Sequence, residues 1–248
     1  MGIAHLARWA VGAVLVAWGA IQGTALAAGL QISPFSITMP ADKKADEVWL
    51  RNSSAEVVHA QVRVYRWSQA DGEDVLSPEQ NMVASPPMVQ IEPGQQQLVR
   101  LVRVGPLSGP AAEERSYRLL IDELPVDRTT SKAGLNFVFR YSVPVFISGT
   151  APAKPVLDWS LRQDGSQVWL RIANSGTSHA QLANIEFTPS GGKTIMAVNG
   201  LAGYALPGQY RSLRLELPAG TFARGGVFSS LINAAKVETP VQPIGKTP

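Results

Sequence analysis

Leu135-Asn-Phe-Val-Phe-Arg-Tyr-Ser-Val-Pro-Val-Phe-Ile147 alternates in character along its whole length. Its odd positions, Leu135, Phe137, Phe139, Tyr141, Val143, Val145 and Ile147, are all apolar or aromatic, whereas the even ones run from Asn136 and Arg140 to Phe146. A period of two describes a β-strand with one greasy face. The run is twice the usual length of about five or six residues. Pro144 removes a ladder donor, which confines such a strand to a sheet edge or a bulge. A long hydrophobic edge invites association, so a chain that keeps one is expected to offer it to a partner.

Outward from that stretch the chain reads as strands throughout. Leu30–Met39 alternates with a slip of phase at Ser33-Pro34, which predicts a bulge or a kinked edge strand. Glu47–Arg51, Val57–Trp67, Met88–Ile91, Gln97–Val104 and Ser116–Leu124 follow, with Asp71-Gly72 as a tight-turn signal. Beyond the long strand come Leu157–Leu161, Val168–Ala173, Ala180–Phe187, Lys193–Val198 and Tyr210–Leu217. Turns every eight to twelve residues and no helical period predict an all-β chain of two immunoglobulin-like sandwiches in tandem. The expected division is a leader at 1–27, a first domain at 28–149 holding the strand 135–147, a linker at 150–155, a second domain at 156–240 and a fraying tail at 241–248.

With 248 residues, 45% of them hydrophobic, two domains can each bury a core. Charged residues at 17% are too few for a disordered chain. There is no cysteine, which excludes disulfides, thiol catalysis and zinc–thiolate sites. His5 and Arg8 precede an apolar run from Trp9 to Ile21, and Ala25-Leu26-Ala27 supplies small residues for cleavage after Ala27. The run falls short of the roughly 20 residues that a membrane span needs. The chain is therefore expected to be exported through a cleavable signal peptide. Removing Arg8 with the leader leaves 21 basic against 19 acidic residues, too small a bias to predict nucleic acid as a partner.

The two domains echo each other. Val48-Trp49-Leu50-Arg51 returns as Val168-Trp169-Leu170-Arg171, and His59-Ala60-Gln61 returns at the same distance as His179-Ala180-Gln181. The shared reading is a strand, a polar turn (Asn52-Ser53-Ser54 and Asn174-Ser175-Gly176) and a return strand.

Catalytic constellations are missing. No G-x-S-x-G elbow occurs, and His59 and His179 read as exposed strand histidines, since no acid lies close to His179 in sequence. Ser190-Gly191-Gly192-Lys193-Thr194 has the end of a phosphate loop but Phe187 where its first glycine should stand, so it reads as a hairpin turn. Asp122 and Glu123 are neighbours on a strand and point to opposite faces, not to one site. No residues show metal-ligand spacing. Trp49, Trp67, Trp159 and Trp169 lie on strands, and most are expected to anchor cores; a carbohydrate-binding stripe would need them coplanar and exposed. An enzyme is not expected, nor a cofactor or metal.

Several motifs carry a resemblance that spans the mature chain: Ser85-Pro86-Pro87, Ile91-Glu92-Pro93-Gly94, Leu98-Val99-Arg100-Leu101, Tyr117–Pro125 and Gly134–Phe146. Together the chain resembles the periplasmic pilus assembly chaperones of the chaperone–usher pathway. Its Tyr-Ser-Val-Pro-Val-Phe ending is more similar to the archaic branch associated with spore-coat protein U. The resemblance implies a periplasmic chaperone whose partners are pilin subunits and an outer-membrane usher. It also implies donor-strand complementation, in which Leu135, Phe137, Phe139 and Tyr141 form the subunit-binding strand. Family members anchor the subunit's terminal carboxylate with two basic residues, one on the first strand and one late on the donor strand. Here the first strand has no Lys or Arg, and Pro144 occupies the second position. Arg103, Arg118 and Arg140 are the candidates for a relocated anchor, since a guanidinium suits a carboxylate. By the same resemblance Arg100 and Glu114 should form a structural ion pair. A structural or adhesive pilus component is the competing reading; a first domain that ends with its own long strand speaks against it.

Overall fold

The computed structural model describes residues 29–106, 109–125 and 138–244. In chain order the first half carries β1 (Leu30–Ser33), β2 (Ile37–Met39), β3 (Ala45–Asn52), β4 (Val58–Ala70) and β5 (Glu73–Pro78). β6 (Met82–Ser85), β7 (Met88–Ile91), β8 (Gln96–Arg103), β9 (Arg115–Leu124) and β10 (Arg140–Ile147) complete it. The second half carries β11 (Leu157–Asp164), β12 (Gln167–Asn174), β13 (Ala180–Pro189), β14 (Ile195–Ala205), β15 (Gln209–Leu215), β16 (Gly226–Ile232) and β17 (Ala235–Val241).

Each half is a two-sheet sandwich. In the first, the sheet β1-β3-β8-β6 faces the sheet β2-β10-β9-β4-β5, with β7 also paired to β4. In the second, β11-β12-β15 faces β14-β13-β16-β17. Alternate residues of each strand meet in the middle: Val48, Leu50, Val99 and Leu101 from one sheet bury against Val62, Leu119, Ile121 and Val145 from the other. The second core does the same with Leu170, Ile172, Leu182, Phe187 and Phe228. Because side chains alternate across a strand, burying one face of each sheet fixes the register of all its strands.

Three expectations are revised. The phase slip at Ser33-Pro34 is a change of sheet: β1 pairs antiparallel with β3, while β2 pairs parallel with β10. Phe35, which continued the alternation, lies at the crossing and is 84% exposed. Met82–Ser85 and the last two strands carried too little periodicity to be read, yet β6 pairs with β8, β16 with β13 and β17 with β16. The second sandwich runs one residue past the expected limit, since Val241 is buried opposite Gly226. The Asp71-Gly72 turn is as expected. Both residues have positive φ (52° and 80°), the mirrored turn whose twist suits a hairpin.

The internal echo has a structural basis, but two residues out of step with the sequence identities. Asn52 and Asn174 are fully buried at the ends of β3 and β12. Asn52 Nδ2 donates to Glu56 O and Ile91 O at 2.7 and 2.8 Å, and Asn174 Nδ2 to Ser178 O and Ala205 O at 2.8 and 2.9 Å. Each carboxamide oxygen accepts from the backbone two residues on, at Ser54 and at Gly176. Each backbone carbonyl accepts from the glycine of a Pro-Gly turn, Gly94 and Gly208. The two asparagines are therefore equivalent, which places Leu170, not Val168, opposite Val48. A slip of two residues keeps every side chain on the same face, so sequence alternation tolerates either alignment and only the buried amide decides.

Candidate functional site

β10 binds its neighbours unequally. Along one side it pairs with β9 over its whole length, from Arg140 opposite Asp122 to Ile147 opposite Arg115. Along the other, β2 covers only Val145–Ile147. Among the described residues, 140–144 therefore keep an open edge, and Pro144 lies within it. The ladder itself reaches one residue further, because Glu123 N donates to Phe139 O at 2.9 Å.

The inward row of β10 is Tyr141, Val143, Val145 and Ile147, and all four pack against the first core. Phe139 continues that row beyond the core: its ring lies 6.3 Å from that of Tyr141, and it is 49% exposed. Val138 beside it is also exposed. Leu135 and Phe137 lie outside the described residues, as do the leader and the start of the expected donor strand. Tyr141, the last of the four residues of the expected donor strand, is half-buried against the first core. Its hydroxyl donates to Glu123 Oε1 at 3.0 Å, and burial together with that carboxylate pushes the phenol up to about 12.

The outward row of β10 runs from Arg140 at its open end to Phe146 at the junction of the sandwiches. Asp122 and Glu123 diverge as alternation requires, Glu123 to Tyr141 and Asp122 to two arginines. Arg63 Nη2 donates to Asp122 Oδ2 at 2.6 Å and Arg140 Nε to Asp122 Oδ1. Burial alone would raise the Asp122 pKa; the hydrogen bonds from Arg140 and Arg63 outweigh it and hold the carboxyl below its ordinary value. Four residues from Asp122 along β9, on the same face, Arg118 sits directly opposite Pro144. Its guanidinium lies 3.6 Å over the Trp67 ring and 5.3 Å from that of Tyr204 in the second sandwich. Burial lowers its pKa, and its nearest carboxylate is Asp74 at 3.8 Å.

The three candidate anchors are thus not together. Arg118 and Arg140 share the outer face of one sheet, Arg118 at the domain junction and Arg140 at the open end. Arg103 belongs to the opposite sheet, where Nη1 donates to Ala41 O at 2.7 Å beside Lys44 and Arg115. The ion pair expected between Arg100 and Glu114 is not formed. Arg100 lies across from Glu47 and Ser85 on the outer face of that opposite sheet. The Glu114 side chain is buried and turned to the second sandwich, accepting from His179 N at 3.0 Å and lying 2.8 Å from His179 Nδ1.

His179 is the residue that the sequence reading misplaced. Instead of an exposed strand histidine it is a junction group, its ring stacked on Phe146 with centroids 3.6 Å apart and planes within 6°. Phe146, Trp67, Tyr204 and Leu206 form a buried cluster between the sandwiches. Gln69 spans the same junction, donating to Tyr204 O at 2.7 Å and accepting from Leu206 N at 3.1 Å. One signal was present: Phe146 is the large aromatic on an otherwise mixed even row, and a greasy residue on an outer face implies a covering partner. Trp67 and Trp159 are buried anchors as expected, whereas Trp49 is 39% exposed and Trp169 lines a surface groove.

Comparison with known proteins gives concordant findings. Residues 29–152 match the family model of the N-terminal domain of pili and flagellar-assembly chaperones. The uncharacterized fimbrial chaperone YcbF of Escherichia coli K12 is 25% identical over 178 residues, covering 66% of this chain and 74% of its own. A chain of the CsuC–CsuE complex, a chaperone–tip adhesion subunit pre-assembly complex from archaic chaperone–usher Csu pili of Acinetobacter baumannii, is 26% identical. That match covers 88% of this chain and 100% of the other at a TM-score of 0.69. The E. coli chaperone DraB shares the fold at 18% identity and a TM-score of 0.60, over 87% of this chain and 97% of its own.

Proposed function

We propose that this chain, which belongs to the family of pili and flagellar-assembly chaperones, captures pilus subunits in the periplasm on the edge of β10 and passes them to an outer-membrane usher. The observation that carries the reading is the inward row of β10. It fills its own core up to Tyr141 and then leaves it as an exposed Phe139, beside an edge that no strand covers among the described residues. A sandwich that lacks one strand would accept such an edge by strand addition, with ladder hydrogen bonds for generic affinity and pockets for alternate side chains. Leu135, Phe137 and Phe139 would fill those pockets. Each contributes roughly 1.5–3 kcal/mol, enough in sum to offset much of an association cost of about 4–15 kcal/mol. The role needs binding only and no catalysis. The Csu match favours the archaic branch.

Arg118 suits the carboxylate anchor best of the three candidates. It stands beside Pro144, the position where the family's second basic residue would fall, so the charge is moved one strand across the sheet and kept in the cleft. Arg140 is committed to Asp122, and Arg103 lies at the end of the other sheet. Its half-buried guanidinium, stacked on an indole and only loosely contacted by Asp74, is pre-oriented for a bidentate partner.

The test is co-purification from periplasm with a pilus subunit encoded alongside it. Wild-type chain should emerge in a 1:1 complex, and Phe137→Asp with Phe139→Asp should abolish it while leaving the free chain folded. Full retention of the complex by that double variant would overturn the strand assignment.

A further inference from the structure

The repeated Trp-x-Arg of β12 takes no part in the subunit-binding cleft. Trp169 and Arg171 are two apart on one strand and so project from the same outer face of the sheet β11-β12-β15. In register beside them stand Ser160 and Arg162 on β11 and Ser212 on β15, with Tyr210 one row further along. The tip of the β4–β5 hairpin from the first sandwich closes one side of this face, bringing Asp71 and Glu73. The result is a groove of about 560 Å³ at the junction of the two domains.

Its wall is fixed. Ser212 N donates to Gly72 O at 3.0 Å, and Arg211 Nη1 reaches Gly72 O at 3.3 Å and Glu73 Oε2 at 2.8 Å. Gly72 is required at this contact, since a Cβ there would collide with the Ser212 side chain and its φ is 80°. Arg211 neutralises Glu73 and Asp164 lies 3.5 Å from the exposed Arg162, so of the lining charges Arg171 and Asp71 are the ones without an ion-pair partner among the described residues.

The lining is unusual in chemistry. It is made of an indole, a phenol, two guanidiniums, two hydroxyls and two carboxylates, without one aliphatic side chain. Arg171 lies 4.2 Å over the Tyr210 ring, which holds its planar donors in place. Among the described residues no side chain or carbonyl accepts from the Trp169 indole N–H, and the Tyr210, Ser160 and Ser212 hydroxyls are likewise uncommitted. A peptide would need an apolar pocket for an anchoring side chain, and this groove has none. A flat aromatic platform ringed by planar bidentate groups and hydroxyls matches instead a sugar ring: its C–H face on the indole, its hydroxyls on Ser, Tyr and Asp, and an acidic substituent on the guanidiniums.

We infer that this interdomain groove binds an acidic saccharide, with Trp169 as the stacking platform and Arg171 and Arg162 as the carboxylate clamp. No residue of β10 lines this groove.

Calorimetric titration of the full mature chain with trigalacturonate tests this, with maltotriose as the neutral sugar and Glu-Ala-Glu as the acidic peptide. Saturable binding of trigalacturonate is expected, weakened about tenfold or more by Trp169→Ala and by Arg171→Gln. It should be unchanged by Trp49→Ala, the tryptophan on the outer face of the first sandwich. Arg171 is exposed, so Arg171→Gln keeps the test intact should Trp169→Ala fold poorly. Lack of saturable trigalacturonate binding would overturn the inference. So would equal binding of maltotriose or of the peptide, or undiminished binding by Arg171→Gln.

Discussion

The Phe146 ring of β10 lies flat against the His179 ring of the second sandwich, centroids 3.6 Å apart and planes within 6°. One strand therefore serves both domains. Its inward residues hold the first core, and its outward Phe146 holds the junction with Trp67, Tyr204 and Leu206. Phe146→Ala should release the junction without melting either core. Removing a fully buried phenylalanine typically costs about 3–5 kcal/mol, here drawn from domain docking. Small-angle scattering should report a broadened distribution of interdomain distances, and an unchanged curve would count against this role.

Phe139→Asp alone should weaken subunit capture while leaving thermal unfolding within about 0.5 kcal/mol of wild type, as expected for a surface site. The residue is half exposed and lies past the end of the core. Equal loss of stability and of capture would mean that Phe139 packs at home. Differential scanning calorimetry beside a pull-down separates the two outcomes.

Arg118→Ala and Arg118→Lys should both reduce subunit affinity, because a lysine keeps the charge but loses the planar fork that stacks on Trp67. If lysine restores full affinity, recognition rests on charge alone and the bidentate anchor is wrong. Arg140→Ala serves as the comparison and should have the smaller effect.

Asp122 should make the chain acid-sensitive. Its folded pKa lies below the unfolded value near 3.9, since the Arg140 and Arg63 hydrogen bonds outweigh the upward pull of burial. The carboxylate's stabilisation is thus fully present above about pH 4 and is lost as the pH falls through the folded pKa. Asp122→Asn should be less stable than wild type at pH 7, with the difference shrinking towards pH 2. A pH-independent difference in urea midpoint would refute this.

Asn52→Ala should destabilise the first sandwich and Asn174→Ala the second. Asn174→Ala strands two buried carbonyls and a buried backbone N–H, at roughly 1–3 kcal/mol per orphaned group, and Asn52→Ala should cost less because Glu56 and Ser54 are partly open to solvent. Domain-resolved hydrogen exchange should place each loss in its own sandwich.

Much of the fold was legible before the structure. Val62 and Val64, Leu119 and Ile121, Val143 and Val145 alternate, and alternation is local, so the strands and their buried faces could be read residue by residue. Short strands such as Met82–Ser85 were not, because four residues carry too little periodicity to stand out from a loop. The change of sheet at Ser33-Pro34 was visible only as a slip in phase; which sheet each piece joined depended on partners far along the chain.

The long strand was legible as a greasy edge, and its proline as a mark of that edge. What only the tertiary structure decided was how its two faces are spent. Phe146 lies outward and would be exposed but for a second domain that brings His179 to it, and His179 in turn finds its acid, Glu114, 65 positions away in sequence. Arg118, one strand removed from Pro144, reaches the cleft only because β9 lies beside β10. Alternation is set by the backbone's period of two and needs no partner. The pairing of charges and rings across a junction is set by where two separate cores come to rest, and neighbouring residues in the chain do not contain that information.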